Sequence, residues 1–433
     1  MRPQLTPAQA AGYTRSQVLR YVGSAGAERD DPWTPEPLDP ARLVPDYVVG
    51  SGCDADGVQT AVNLAIAEGR TGRVVIGIAA GTHAGLVYLP RGAARFTLVG
   101  LGDHPADVVL SENIDAEMSG TEYSAKFGQS FAQAHASVRS IHDRIAALDT
   151  ITTANASVIR VEADGTQLVN LTVRNTYNCD RAQGGSDDRN AAGQFTTGQH
   201  QAVALLVAGA DRVQVQNVAL KSFQDTLYLQ SPTRGETVRS CFTDCDIEGD
   251  VDFIFGQSTA WFARCTIRTL TSRAAKSWAT APSTDIRTRF GFVFHDCHFT
   301  HDGHARPGQF HLGRQWFEGV RATPFGLPDI SGYRVTIGPT SAYHAPVGTI
   351  SLATLNAVGK CVILHSRIAG HIDAASPWDA WSGNTWNPRH RPVLYRAADM
   401  LSPLADWLRQ QGQSYDDICP DTIFLGEYGN STA

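Results

Sequence analysis

Apolar residues in this chain come mostly in short runs and alternations, and only locally at helical spacing. Residues 74–78 predict a strand, and residues 88–90 and 96–99 predict further short β pieces. Two helical patterns lie near the start. Thr6-Pro7 supplies an N-cap followed by proline at the first helical position. The helix it opens is predicted to reach residue 22, with Val18, Leu19 and Val22 on one face. Residues 54–67 place Val58, Ala61, Val62 and Ala65 at helical spacing. Between the two, Pro32, Pro35, Pro37 and Pro40 predict a stiff extended linker. Residues 111–150 break the strand rhythm. Phe131, Val138, Ile141, Ile145 and Leu148 suggest helix there, in an insertion projecting from the body.

Beyond residue 157 a weak repeat sets the fold. Val169-Asn170-Leu171-Thr172-Val173 aligns with Gln216-Asn217-Val218-Ala219-Leu220 and with Thr243-Asp244-Cys245-Asp246-Ile247. Ala263-Arg264-Cys265-Thr266-Ile267 and His295-Asp296-Cys297-His298-Phe299 follow, and Leu364-His365-Ser366-Arg367-Ile368 is a looser sixth copy. Each has a polar residue before a small or apolar centre, with an apolar residue two places on. Strand side chains alternate with period 2, so one strand type recurring with variable insertions predicts stacked coils. The expected fold is all-β, a right-handed parallel β-helix with N-terminal and C-terminal helices. A β-sandwich of hairpins would need Asn-Gly or Asp-Gly turns, and these are scarce. Cys245, Cys265 and Cys297 share one repeat position and are expected to form an internal ladder of small apolar groups. The chain then divides into a helix and Pro-rich linker (1–45), the β-helix (46–370) and a loop-rich tail (371–433). The tail carries Trp378, Trp381 and Trp386, and Ser402-Pro403 opens a helix with Leu404, Trp407 and Leu408 on one side. That helix is expected to cap the solenoid.

Composition narrows the partners. With 433 residues, 42% hydrophobic and 18% charged, the chain can bury a large core. A net charge of -7 argues against nucleic acid as the main partner. No apolar run approaches the length of about 18 residues that a membrane span needs. Eight cysteines without a CxxC pair disfavour zinc-ribbon and thioredoxin readings. The first residues lack a charged segment followed by an apolar one, so no signal peptide is expected in the chain as it stands.

Two acids interrupt otherwise apolar or aromatic stretches. Asp225 lies in Gln224-Asp225-Thr226-Leu227-Tyr228, and Asp252 in Val251-Asp252-Phe253-Ile254-Phe255-Gly256. They are 27 residues apart, close to one coil plus a short loop. Equivalent positions on stacked coils lie about 4.8 Å apart. Two carboxyls that close cannot both ionise readily, which supplies a proton donor beside a nucleophile or base. On spacing alone, a pair of solvated aspartates on a sheet face fits equally well. Strict alternation would also put Asp225 on the face of Leu227 and Asp252 on that of Ile254, so a bend near the acids is required. Gln201 and Gln224 offer amide donors suited to an oxyanion. Arg314 could form a two-pronged pair with a carboxylate, and Trp316 could stack on a sugar ring.

Gln201-Ala202-Val203-Ala204-Leu205, Gln224-Asp225-Thr226-Leu227, Asp252-Phe253-Ile254-Phe255-Gly256 and Leu312-Gly313-Arg314-Gln315-Trp316 together resemble the signature segments of pectin methylesterases, carbohydrate esterase family 8. The resemblance spans roughly residues 46–368 and is nearest to the bacterial pectinesterase B-like subfamily. It implies Asp252 as nucleophile, Asp225 as the acid that protonates departing methanol, and Gln224 and Gln201 as oxyanion donors. It implies Arg314 as the partner of the nucleophile, and Trp316, Phe255, Tyr228 and Val251 as substrate-binding residues. The implied substrate is methyl-esterified pectin or its oligogalacturonides, cleaved without metal or cofactor by a monomer. The implied location is secreted, periplasmic or outer-membrane associated. The family's Gly-x-Tyr-x-Glu segment is here Gly81-Thr82-His83-Ala84-Gly85, a departure that bears on substrate length.

Other readings fit less of the sequence. A pectate lyase would want calcium-binding acids, for which Asp187-Asp188 is a poor substitute. No Gly-x-Ser-x-Gly supports a serine esterase. His295, His298, His301 and His304 could suggest a metal, yet histidines in strands and turns are more often solvated. A catalytically divergent envelope protein, polysaccharide-binding or thioesterase-like, is the main alternative, and the intact acids argue against it.

Overall fold

The computed structural model describes residues 2–92, 94–182, 187–316, 336–338, 349–351, 357–382, 390–391, 393–401 and 421–432. Trp386 and the expected capping helix around Leu404, Trp407 and Leu408 lie outside them. The described chain winds into stacked coils with three walls, and the strands along each wall pair in parallel. One coil shows the plan. Arg239–Thr243 forms the first wall and Asp246–Gly249 the second, followed by Val251–Gly256 in the third. The third wall is an eight-stranded sheet. Its strands are β1 (Val87–Leu89), β2 (Ser157–Val161), β3 (Val203–Ala208), β4 (Leu227–Gln230), β5 (Val251–Gly256), β6 (Trp278–Pro282), β7 (His311–Arg314) and β8 (Trp378–Asp379). Each pairs with the next in chain order. This is the parallel β-helix that the repeat predicted.

The repeat marks a corner. Asn170, Asn217, Asp244, Arg264, Asp296 and His365, the polar residue of each copy, all have φ between 49° and 55°. A left-handed residue there turns the chain from the first wall to the second, and Asn and Asp adopt that conformation at least cost among residues with a side chain. Asn217 Nδ2 donates to Asn170 Oδ1 at 2.9 Å, and Asn170 Nδ2 donates to the Gly100 and Gly102 carbonyls. The next position points inward. Cys245, Cys265 and Cys297 are buried there, each thiol within reach of a carbonyl on the preceding coil. The cysteine ladder is structural, and burial pushes the Cys245 and Cys297 thiols up from their ordinary values.

The first 24 residues do not form one helix. Gly12 ends α1 (Pro7–Ala11), and Thr14 caps a separate α2 (Arg15–Val18). Tyr21–Ser24 is a strand that pairs antiparallel with Glu236–Thr237. Leu5, Val18 and Leu19 pack on the outer face of the first wall against Cys241, Trp261, Val293 and Val362. The proline-rich stretch is held there too, since the Gln216 amide bonds both backbone groups of Leu38. The helix at 54–67 is present as α3 (Val58–Ala67). The 111–150 segment contains α4 (Gly120–Phe131) and α5 (Ala136–Ala146). Their buried faces join Leu86 and Tyr88, with Tyr88 stacked on Phe131 at 5.0 Å. Leu148 falls beyond α5 and is exposed, contrary to its expected place on the helix face.

Candidate active site

The site lies at the corner where the second wall turns into the third. Gln201 and Gln224 form a parallel bridge, and the Asp225 N–H donates to the Val251 carbonyl at 3.1 Å. Val251 is in register with Trp278, and Trp278 with His311. Successive coils therefore stack Gln201, Gln224, Val251, Trp278 and His311 in one row, with the two acids next to it.

Asp225 has φ 67° and Asp252 has φ 51°. These left-handed residues break the alternation that would have sent both carboxyls into the core with Leu227 and Ile254. The β5–β6 register also shifts between Val251 and Ile254. Both acids are nonetheless enclosed, at 8% and 7% exposure, so any charge on them is costly without a partner.

Asp252 has one. Arg314 Nε donates to its Oδ1 at 2.9 Å, and Nη2 to its Oδ2 at 2.7 Å. This is the two-pronged geometry in which a guanidinium matches an ionised carboxylate. The guanidinium is itself clamped between two indoles, 3.6 Å from the Trp278 ring centroid and 4.2 Å from that of Trp381. Trp278 Nε1 donates to Asp379 Oδ2 at 3.0 Å, and Asp379 pairs with Lys276. Asp225 makes no such pair among the described residues. Burial, and then the neighbouring Asp252 charge, push its carboxyl well above the usual carboxylate range, while Arg314 acts in the other direction. The two acids thus differ: a guanidinium fork engages Asp252, and the surroundings of Asp225 favour its protonated form.

Tyr228 and Phe255 stack with ring centroids 4.2 Å apart, and Trp316 meets Phe255 edge-on at 5.8 Å. They form an apolar platform on the outer face of the third wall with Val203, Leu206 and Ala281. Among the described residues no hydrogen bond engages the Gln224 side chain, which leaves its amide available as a donor. Gln201 is arranged differently: its Nε2 donates to Gln199 Oε1 at 3.3 Å, and its Oε1 is buried with no hydrogen-bond partner among the described residues. Gln199 also lines a cavity of about 230 Å³ together with Tyr177, Arg181 and His200. Asp225, Asp252, Arg314, Gln224, Val251, Tyr228, Phe255 and Trp316 are brought together. Gln201 is adjacent, with its amide turned to Gln199.

Trp278, Trp381, Asp379 and the buried Asp250–Arg273 pair escape the sequence reading. Only Trp278 carried a usable signal, since stacking the coils puts it in the row of Val251. Among the described residues no group of three or more His, Cys, Asp or Glu side chains could hold a metal ion. Of the suspected histidines, His295 meets His365 edge-on and His301 lies tilted against His371 on the neighbouring coil.

Fold and site together define a carboxylic ester hydrolase built on a parallel β-helix. The pectinesterase family profile matches residues 188–323. Pectinesterase B of Dickeya dadantii (strain 3937) is 33% identical over 399 residues, covering 88% of this chain and 82% of that protein. The structure of rice weevil pectin methyl esterase is similar with a TM-score of 0.71 at 26% identity, over 100% of this chain and 97% of that one. The Escherichia coli ybhc structure gives 0.73 at 22% identity, over 100% and 95%, a likeness of fold. The chain belongs to the pectinesterase family.

Proposed function

We infer that the chain demethylates galacturonan or its oligomers through Asp252 as nucleophile and Asp225 as proton carrier. The observation that carries this reading is the asymmetry between the acids, one paired by Arg314 and the other buried with no ion pair of its own among the described residues. Asp252 attacks the ester carbonyl carbon, and the oxygen that gains charge is met by the Gln224 amide, with Gln201 joining once it leaves Gln199. Collapse breaks the bond to the methoxy oxygen, which takes the Asp225 proton and departs as methanol. The galacturonyl group is then an anhydride on Asp252. Asp225, now ionised, takes a proton from water, and the hydroxide attacks the galacturonyl carbonyl. Asp252 is released and Asp225 is protonated again.

The platform of Tyr228, Phe255 and Trp316 suits the apolar face of a sugar ring. A methyl-esterified polymer is consistent with a net negative protein, because esterified residues carry no charge. The substrate is a wall polysaccharide, so action is assigned outside the cytoplasm, by a single copy of the chain. Among the described residues no helix is long and apolar enough to cross a membrane.

The test is methanol release from highly methylated pectin and from methylated oligogalacturonides, with chain length followed in parallel and an acyl-CoA as a control substrate. Methanol without chain shortening is expected, and no thioester cleavage. Shortened chains, or CoA release in place of methanol, would overturn this reading.

A further inference from the structure

A second ion pair lies beside the acids, and the reaction outlined above does not use it. Asp250 is fully buried and the Arg273 side chain is 7% exposed. Arg273 Nε donates to Asp250 Oδ2 at 2.7 Å, and Nη2 to Oδ1 at 3.1 Å. Desolvating both charges offsets much of their attraction, so stability alone is a weak reason for such a pair.

What the pair grips is more informative. Asp250 Oδ1 accepts from the Val251 N–H at 2.6 Å, and the Val251 carbonyl accepts from the Asp225 N–H. The Asp250 N–H donates to the Phe223 carbonyl at 2.9 Å, and the Arg273 guanidinium lies 4.6 Å from the Phe223 ring centroid. The Ser277 hydroxyl donates to the Asp250 carbonyl, and Arg273 Nη1 is 3.1 Å from Cys179 Sγ. Phe223 sits two residues before Asp225, and Asp250 two before Asp252. One buried pair thus holds the backbone on the approach to both left-handed corners.

We propose that Arg273 and Asp250 are positioning residues of the esterase reaction, fixing the two acids relative to each other and balancing the field at Asp225. This rests on the roles assigned to Asp252 and Asp225 above. The charged groups acting on Asp225 are Asp252 and Asp250, which favour its protonated form, and Arg314 and Arg273, which oppose it. The Cys179 thiol and His200 are the titratable neighbours of the pair itself. Losing one member leaves the other uncompensated, so the two losses act on Asp225 in opposite directions.

The experiment compares wild type, Asp250→Asn, Arg273→Met, Arg273→Lys and Asp252→Ala, each checked for folding by circular dichroism and melting. kcat and KM for methanol release are measured across pH. Both charge-removing variants are expected to lose about tenfold or more in kcat with KM little changed. The alkaline limb, where Asp225 loses its proton, moves to lower pH in Asp250→Asn and to higher pH in Arg273→Met. Arg273→Lys keeps the limb near wild type and loses part of kcat, because it keeps the charge without the fork. Limbs that stay put or move the same way would overturn the proposal. If Arg273→Met fails to fold, Asp250→Asn against Arg273→Lys decides: a lowered limb in the first alone supports the proposal, and equal limbs refute it. Methanol release surviving in Asp252→Ala would sink the underlying roles. Loss in Asp252→Ala with wild-type behaviour in the pair variants would sink only the positioning claim.

Discussion

Asp225 is a carboxyl group kept away from water next to another acid, and the protein bears a stability cost for it. Its folded pKa is raised above the unfolded value. The stability it contributes is therefore complete below the ordinary carboxylate range and is lost as pH rises through the raised folded value. Asp225→Asn removes the ionisation and keeps a side chain that tolerates φ 67°. We expect this variant to be inactive, yet to melt about 2 °C or more above wild type at pH values where Asp225 ionises. At acid pH the two should melt alike, and a gain that persists there would contradict the linkage. Arg314 gives a second residue-scale expectation. Arg314→Lys keeps a cation near Asp252 but loses the fork and the fit between two indoles. kcat/KM should fall about 100-fold, as measured by methanol release. At this scale the sequence exposed the acids, because a charge in an apolar stretch is conspicuous. It did not reveal how they avoid the core, since a positive φ leaves no mark on hydrophobic alternation. Arg273 and Trp381 stayed hidden because they lie in segments without pattern, and only the stacking of coils brings them to the site.

At the scale of elements, the corners carry the fold. Asn170 bonds two carbonyls and accepts from Asn217, at φ 53°. Asn170→Ala should cost about 2–3 kcal/mol, from left-handed strain and orphaned carbonyls together. Asn170→Gly, free of the strain, should cost about 1 kcal/mol less. Urea midpoints measure both, and equal losses would show that the conformation is not what selects asparagine there. The repeat was legible because each coil needs a polar corner followed by a small or apolar inward residue. The N-terminal helices were misread because Gly12 and Thr14 split the stretch, and the apolar spacing of Val18, Leu19 and Val22 then runs from the end of α2 into the Tyr21–Ser24 strand. The spacing of those residues serves burial against the first wall, and it does not require one helix.

For the whole molecule, the third wall is both the sheet that stacks the coils and the surface that presents the candidate site. Gln224, Asp225, Asp252 and Arg314 come from three different coils, so the site exists only when those coils are stacked in register. The parallel solenoid was legible from the repeat, and the main residues of the candidate site from their motifs. The clamp around Arg314 was not, because Asp379 and Trp381 belong to a tail whose composition reads as loop. The proposed mechanism turns on Asp252 as the nucleophile, held ready by Arg314. Its most direct test is methanol release from highly methylated pectin by purified, folded Asp252→Ala beside wild type. The expected rate is below about one thousandth of wild type; a rate within tenfold of wild type would contradict the claim.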